Sequence, residues 1–241
     1  MNGRPADLAE VAAIRASAPE SGGAELLVCP PATLLLEAAR LCAGSPVKVG
    51  AQDCHPGECG AHTGDISAEM LKDAGASYVI VGHSERRSEH AESDALVRAK
   101  ATAGFRAWLD VILCVGETQA ERAAGAALSR VAAQLEASLP HRAPAERLVV
   151  AYEPVWAIGT GVTPTRGDVA EMHTFVRREL ERHFPGAGRQ IRILYGGSVK
   201  PANAAELLSL DNVDGALVGG ASLRAAEFMA IAEVCRWRPE A

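Results

Sequence analysis

No run of apolar residues in this chain approaches the ~20 needed to cross a bilayer; the strongest stretches are short, such as Val79-Ile80-Val81. The opening Met1-Asn2-Gly3-Arg4-Pro5-Ala6-Asp7 has no apolar core of the kind a secretory leader carries. The six cysteines (29, 42, 54, 59, 114 and 235) form no CxxC pair. Scattered cysteines in a chain of this size predict unpaired thiols in a reducing compartment, so the expected location is the cytoplasm. Positive charge is also short: 24 Lys and Arg against 30 Asp and Glu give a net charge of −6. That excludes a general nucleic-acid-binding face, which has to be basic. It leaves room for a local phosphate site built from backbone amides at helix starts. No Pro/Ser-rich linker and no shift in composition divides the 241 residues, so one domain spanning residues 1–241 is expected. With 48% hydrophobic and 22% charged residues, the chain is ordinary for a globular protein and not disordered. At this length it buries well over half of its unfolded surface.

What the sequence does have is alternation. Short apolar runs at Glu25–Cys29, Val47–Ala51, Tyr78–Val81, Val111–Val115, Leu148–Tyr152, Ile191–Tyr195 and Gly215–Val218 read as strands buried on both faces, because they are apolar throughout rather than at every second residue. Amphipathic stretches separate them. Ser67 is a candidate cap for a helix carrying Met70 and Leu71, which Gly75 ends. Thr118-Gln119-Ala120-Glu121 reads as a capping box leading into Leu128, Val131, Leu135 and Leu139. Val169, Met172, Val176 and Leu180 form another stripe, and Ser222 is placed as the cap of a last helix holding Leu223, Phe228, Ile231 and Cys235. Strict βα alternation implies a parallel barrel or a doubly wound sheet. The chain opens, however, with a helix at roughly Ala6–Ala16 and no strand before it, whereas a parallel barrel closes with eight strands.

In α/β folds, chemistry gathers at the C-terminal ends of strands. After Tyr78–Val81 comes Gly82-His83-Ser84-Glu85-Arg86-Arg87. His83 falls where a strand hands over to a helix, whose N-terminus disfavours an imidazolium, so a neutral ring able to donate to a polarised carbonyl is expected. Taken alone, it reads more readily as a surface histidine in a turn. After Leu148–Tyr152 comes Glu153-Pro154-Val155-Trp156-Ala157-Ile158-Gly159-Thr160-Gly161: a carboxylate on a stiff backbone, then an apolar tip and glycines suited to a lid. Desolvation beneath such a lid raises the basicity that general-base work requires. The bland reading is a structural glutamate before an ordinary loop. The glycine pairs Gly196-Gly197 and Gly219-Gly220 follow the last two strands, where barrels often build phosphate sites; either pair alone reads as a turn. Cys54-His55 and Cys59…His62 have the spacing C-H-x3-C-x2-H, which matches no common zinc pattern, so no metal site is expected there.

The segments Gly50-Ala51-Gln52-Asp53, Thr63-Gly64-Asp65-Ile66-Ser67, Gly82–Arg87, Cys114-Val115-Gly116-Glu117, Ala151–Gly161, Tyr195–Val199 and Gly219–Ser222 occur in one order along essentially the whole chain. Together they closely resemble the triosephosphate isomerase family, and the string Tyr152–Gly161 is the most specific. The resemblance implies a (β/α)8 barrel and interconversion of dihydroxyacetone phosphate and D-glyceraldehyde 3-phosphate in glycolysis and gluconeogenesis, with no metal or organic cofactor. It implies that Glu153 is the base and that His83 is a neutral donor stabilising an enediolate. Gly159, Ser198, Gly219 and Gly220 would hold the phosphate, and Val155–Gly161 would form the lid. Glu85 would be the carboxylate of the active-site signature, which in the family lies near a catalytic lysine. Cys114 would pack beside the site. The family is usually homodimeric, and the segment Asp53–Ile66, with Thr63 near its tip, resembles its interface loop.

The chain also departs from the family. Met1-Asn2-Gly3 is similar to the tail that follows the family's first strand and its Asn-x-Lys motif, so as written the chain lacks that strand, the Asn and the Lys. Two open sheet edges are therefore expected. The loss of a charged contact at the transition state, about 4 kcal/mol or roughly a thousandfold in rate, predicts a poor isomerase. A translation start assigned to an internal Met is the simplest reason. Trp108 stands where the family commonly has Gly, and Val162 stands at the second lid hinge, where many members have Lys. Two other readings stay open: an isomerase of a four-carbon sugar phosphate, and a non-catalytic phosphate-binding dimer.

Overall fold

The computed structural model describes residues 1–20, 23–158 and 164–235. Among these residues lie seven strands: β1 (Leu27–Val28), β2 (Lys48–Ala51), β3 (Tyr78–Val81), β4 (Asp110–Val115), β5 (Leu148–Tyr152), β6 (Arg192–Tyr195) and β7 (Gly215–Ala216). They pair in chain order, all parallel, with β1 and β7 at the ends of the ladder. The expected strands thus appear within a few residues of their predicted bounds.

Alternate residues of these strands face two different cores. Val79, Val81, Val111, Leu113, Val150, Tyr152, Ile193 and Tyr195 pack outward, against helices. Tyr78, Ile80, Ile112, Cys114, Val149 and Ala151 form a second, inner cluster that Leu27 of β1 and Leu217 beside β7 also touch. Strands lie ~4.8 Å apart, so a flat ladder of this width would hold its ends about 29 Å from each other. Only a curled sheet brings both ends to one small cluster. The architecture is the (β/α) barrel read from the sequence.

The helices are α1 (Leu8–Ser17), α2 (Ala32–Cys42), α3 (Ala68–Asp73), α4 (Ser84–Glu89), α5 (Asp94–Arg106), α6 (Gln119–Ala123), α7 (Ala127–Ser138), α8 (Arg166–His183), α9 (Pro201–Leu208) and α10 (Ala225–Val234). The Ser67 hydroxyl accepts from the Met70 amide as expected, and the Thr118 capping box forms. Two expectations are corrected. The helix after Thr118 is broken in two at Gly125, whose φ of +69° is the left-handed conformation that glycine adopts freely. Ser222 does not cap the last helix, because its hydroxyl turns back to donate to the Gly219 carbonyl at 2.7 Å. Leu223 closes a short 3-10 turn, and Cys235 lies just past the end of α10. The Glu10 carboxylate of α1 caps α10 instead, accepting from the Ala225 amide at 2.7 Å.

Trp108 occupies a left-handed conformation, φ +61°, which costs a bulky side chain ~1–2 kcal/mol and which a glycine would adopt without strain. Its exposed ring stacks under the Arg147 guanidinium, 5.2 Å from the ring centroid. No helix among the described residues is long and apolar enough to cross a membrane.

Candidate active site

The site is assembled from the C-terminal ends of β3, β4, β5 and β6. At the end of β3, Gly82 takes a φ of +68° and lies against Val97, so close that a Cβ there would meet that side chain at 2.7 Å. This turn makes His83 the residue that caps α4. The Glu85 amide donates to His83 Nδ1 at 3.4 Å. With Nδ1 accepting, the neutral ring carries its proton on Nε2. Nε2 lies 3.0 Å from Glu153 Oε1.

Glu153 follows β5 directly and is 1% exposed. Its two oxygens accept from the Ser84 amide at 2.9 Å and the Ser84 hydroxyl at 3.0 Å. A buried carboxylate is tolerable only with donors of this kind. Burial acts to lower the His83 pKa, but the hydrogen bond and charge of Glu153, with the charge of Glu85, carry it above the usual histidine value. Cys114, inside the barrel beside Glu153, is fully buried; burial first, then the Glu153 charge, pushes its thiol far above the ordinary range. It packs in the inner cluster of the barrel.

The backbone of Glu153 is held from two sides. Its amide donates to the Val115 carbonyl at 2.8 Å. Gly116 presses against its carbonyl, where a Cβ would come within 1.8 Å of Glu153 O. Gly116 is itself clamped by Gln134 of α7, whose amide side chain accepts from Gly116 N at 2.7 Å and donates to Gly116 O at 3.0 Å. On the other side, a Cβ at Gly196 would meet Glu153 Cγ at 2.8 Å. Gly196, which the sequence suggested as part of an anion loop, thus makes room for the carboxylate side chain. Gly116 enters the sequence reading only as part of the segment Cys114–Glu117, and Gln134 not at all; a glutamine in the apolar stripe of α7 is the available signal, because a buried amide has to find partners.

The Glu85 carboxylate is exposed and lies 4.0 Å from His83 Nδ1, so its contact with the pair is mainly through its amide. Ser198 is half-buried in the turn after β6, with its carbonyl accepting from Asn203 Nδ2 at 3.0 Å. Gly219 and Gly220 are exposed at the start of a 3-10 turn after β7, with open space where side chains would be. Gly159, Val162 and the far half of the expected lid, Val155–Gly161, lie outside the described residues. The near half holds Trp156, whose Nε1 donates to the buried Glu117 carboxylate at 2.8 Å.

The family model described as triosephosphate isomerase matches residues 1–235. A triosephosphate isomerase of Afipia carboxidovorans is 60% identical over 236 residues, 98% of this chain and 94% of that protein. One from Rhizobium etli is 59% identical over 233 residues, 96% of this chain and 91% of that protein. The crystal structure of triosephosphate isomerase from Bartonella henselae matches with a TM-score of 0.90 at 50% identity, covering 97% of this chain and 94% of that one.

Proposed function

The chain belongs to the triosephosphate isomerase family, and we propose that it interconverts dihydroxyacetone phosphate and D-glyceraldehyde 3-phosphate with Glu153 as base and His83 as donor to the carbonyl oxygen. The observation that carries this reading is the buried contact between the two, Glu153 Oε1 to His83 Nε2 at 3.0 Å. Isomerisation needs a proton taken from one carbon and returned to its neighbour while negative charge grows on oxygen. A carboxylate does the first and a neutral N–H does the second. Both Glu153 oxygens are already engaged by Ser84 and His83. The carboxylate therefore has to leave at least one donor to reach a carbon acid, and His83 Nε2–H is then free for the substrate oxygen.

Ser198, Gly219 and Gly220, with Gly159, bind the phosphate in this reading, chiefly through backbone amides. The open space over Gly219 and Gly220 supports it, since bare backbone lets an anion approach closely. Glu85 acts through its amide, fixing the His83 tautomer. The reaction needs no cofactor for its proton transfers, and it takes place in the cytoplasm.

We place the contact between two copies on the segment 53–66. Residues 58–65 are all exposed, and the base of the segment is tied down. There, Lys100 Nζ holds Asp53 at 2.7 Å and also reaches Glu92, while Arg86 Nε lies 2.6 Å from Glu92 and 2.9 Å from Asp53.

The test is Glu153→Asp, which draws the carboxylate back by ~1 Å, a displacement that costs about a hundredfold in kcat. An unchanged kcat removes Glu153 from the role of base.

A further inference from the structure

We propose that Arg87 is a positioning residue for the isomerisation: its one guanidinium pins the ends of β3 and β4 together, and so holds His83 and Glu153 in their mutual placement. This role presupposes the reaction assigned above to that pair.

Arg87 lies on α4, one turn after His83, whose carbonyl accepts the Arg87 amide at 3.0 Å. Its side chain runs back to the strand ends. Nε donates to the Gly82 carbonyl at 2.8 Å and Nη1 to Asp94 Oδ1 at 2.6 Å. Nη2 donates to the Cys114 carbonyl at 3.1 Å and to Ser138 Oγ at 3.3 Å. The Gly82 carbonyl shares a rigid peptide plane with the His83 amide, so a bond to it fixes how the chain enters His83. The β3–β4 register ends with Val81 opposite Leu113, whereas β4 runs on to Val115. Cys114 therefore has no β3 residue opposite it, and the guanidinium takes its carbonyl in place of a neighbouring strand. The next carbonyl along, that of Val115, accepts the Glu153 amide at 2.8 Å. Gly82 leaves room for this: a Cβ there would lie 3.0 Å from Arg87 Nη2.

The task suits arginine. Its planar fork carries donors in several fixed directions, whereas lysine offers a point charge on a flexible stem. The charge is balanced where it sits. The Arg87 side chain is 12% exposed beside Asp94, and the fully buried Ser138 also donates to Asp94 Oδ1, at 3.2 Å. A guanidinium this enclosed stays charged and needs such a partner. These contacts are with β3, β4, α5 and α7. The residues proposed to hold phosphate, Ser198, Gly219 and Gly220, follow β6 and β7 instead. Loss of Arg87 is therefore expected in kcat and not in KM.

The test is Arg87→Lys, which keeps a charge for Asp94 but cannot serve both carbonyls. Its kcat is expected to fall by roughly tenfold to a hundredfold with KM nearly unchanged, the pattern of an arrangement lost in the transition state. The His83 ring, followed by its ¹⁵N shifts, is expected to titrate at a lower pH than in the wild type. The Glu153 contact that raises it slackens, while the charge at position 87 is kept. Asp94→Asn, near-isosteric, loosens the anchor of the same guanidinium and moves both readouts the same way by less. Arg98→Lys changes neither, because Arg98 Nε holds a helix carbonyl, that of Ala137 at 2.7 Å, rather than a strand end. A wild-type kcat or a wild-type His83 titration in Arg87→Lys overturns the role, as does a rate loss carried by KM. If Arg87→Lys does not fold, Asp94→Asn decides on the same two readouts. A wild type that does not isomerise triose phosphates removes the proposed function instead, and the His83 titration then decides whether Arg87 positions that ring.

Discussion

At the scale of single residues, the molecule turns on the direct contact between His83 and Glu153. Two opposing influences act on His83: burial, which lowers its pKa, and the Glu153 carboxylate, which raises it and prevails. Replacing Glu153 with Gln removes the raising influence and leaves the burial. His83 is then expected to titrate at a lower pH than in the wild type, as followed by the ¹⁵N shifts of its ring; the same or a higher value contradicts the assignment. A raised histidine pKa adds stability that is fully present below the unfolded-state value and is lost as pH climbs through the raised one. The resting pair is thus firmest in mild acid.

The sequence placed His83 and Glu153 at strand ends because strand and helix signals adjoin them directly. It could not show Ser84 holding the carboxylate, since sixty-nine residues separate the two. Trp108 was visible as an odd residue at a family glycine, but its left-handed backbone was not.

At the scale of elements, the strands were legible because strands buried on both faces leave continuous apolar runs, and β3, β4 and β5 are almost wholly buried. Helix ends were legible where the cap is local, as at Ser67 and Thr118. They were misread where it is not: Glu10 caps α10 from the other end of the chain, which no local spacing reveals. The same holds for the clamp of Gln134 on Gly116, which ties α7 to the end of β4 and, through Gly116, to the backbone of Glu153. Gln134→Leu keeps the size and apolar surroundings but orphans a buried N–H and a buried C=O. Each unsatisfied group costs ~1–3 kcal/mol. Urea unfolding should show a loss of about 2–6 kcal/mol, with a fall in kcat because Glu153 loses its support. A stability within about 0.5 kcal/mol of wild type contradicts the clamp.

At the scale of the whole molecule, the curled parallel ladder brings residues far apart in the chain to one rim. The ion network of Lys100, Asp53, Glu92 and Arg86 joins the base of the 53–66 segment to the helix that follows His83. Contact between copies through that segment would therefore brace the turn that carries His83. Sedimentation equilibrium is expected to give twice the chain mass of 25.2 kDa; a mass of one chain at micromolar concentration contradicts it.

In the proposed reaction Glu153 carries a proton between adjacent carbons of a triose phosphate. The most direct measurement is conversion of D-glyceraldehyde 3-phosphate in D₂O, read by NMR for deuterium at C1 of the dihydroxyacetone phosphate formed. A carboxylate that exchanges its proton with solvent leaves deuterium there, and Glu153→Gln slows both exchange and isomerisation by about a thousandfold. Product free of deuterium, or a Glu153→Gln protein working at near wild-type rate, would contradict the account.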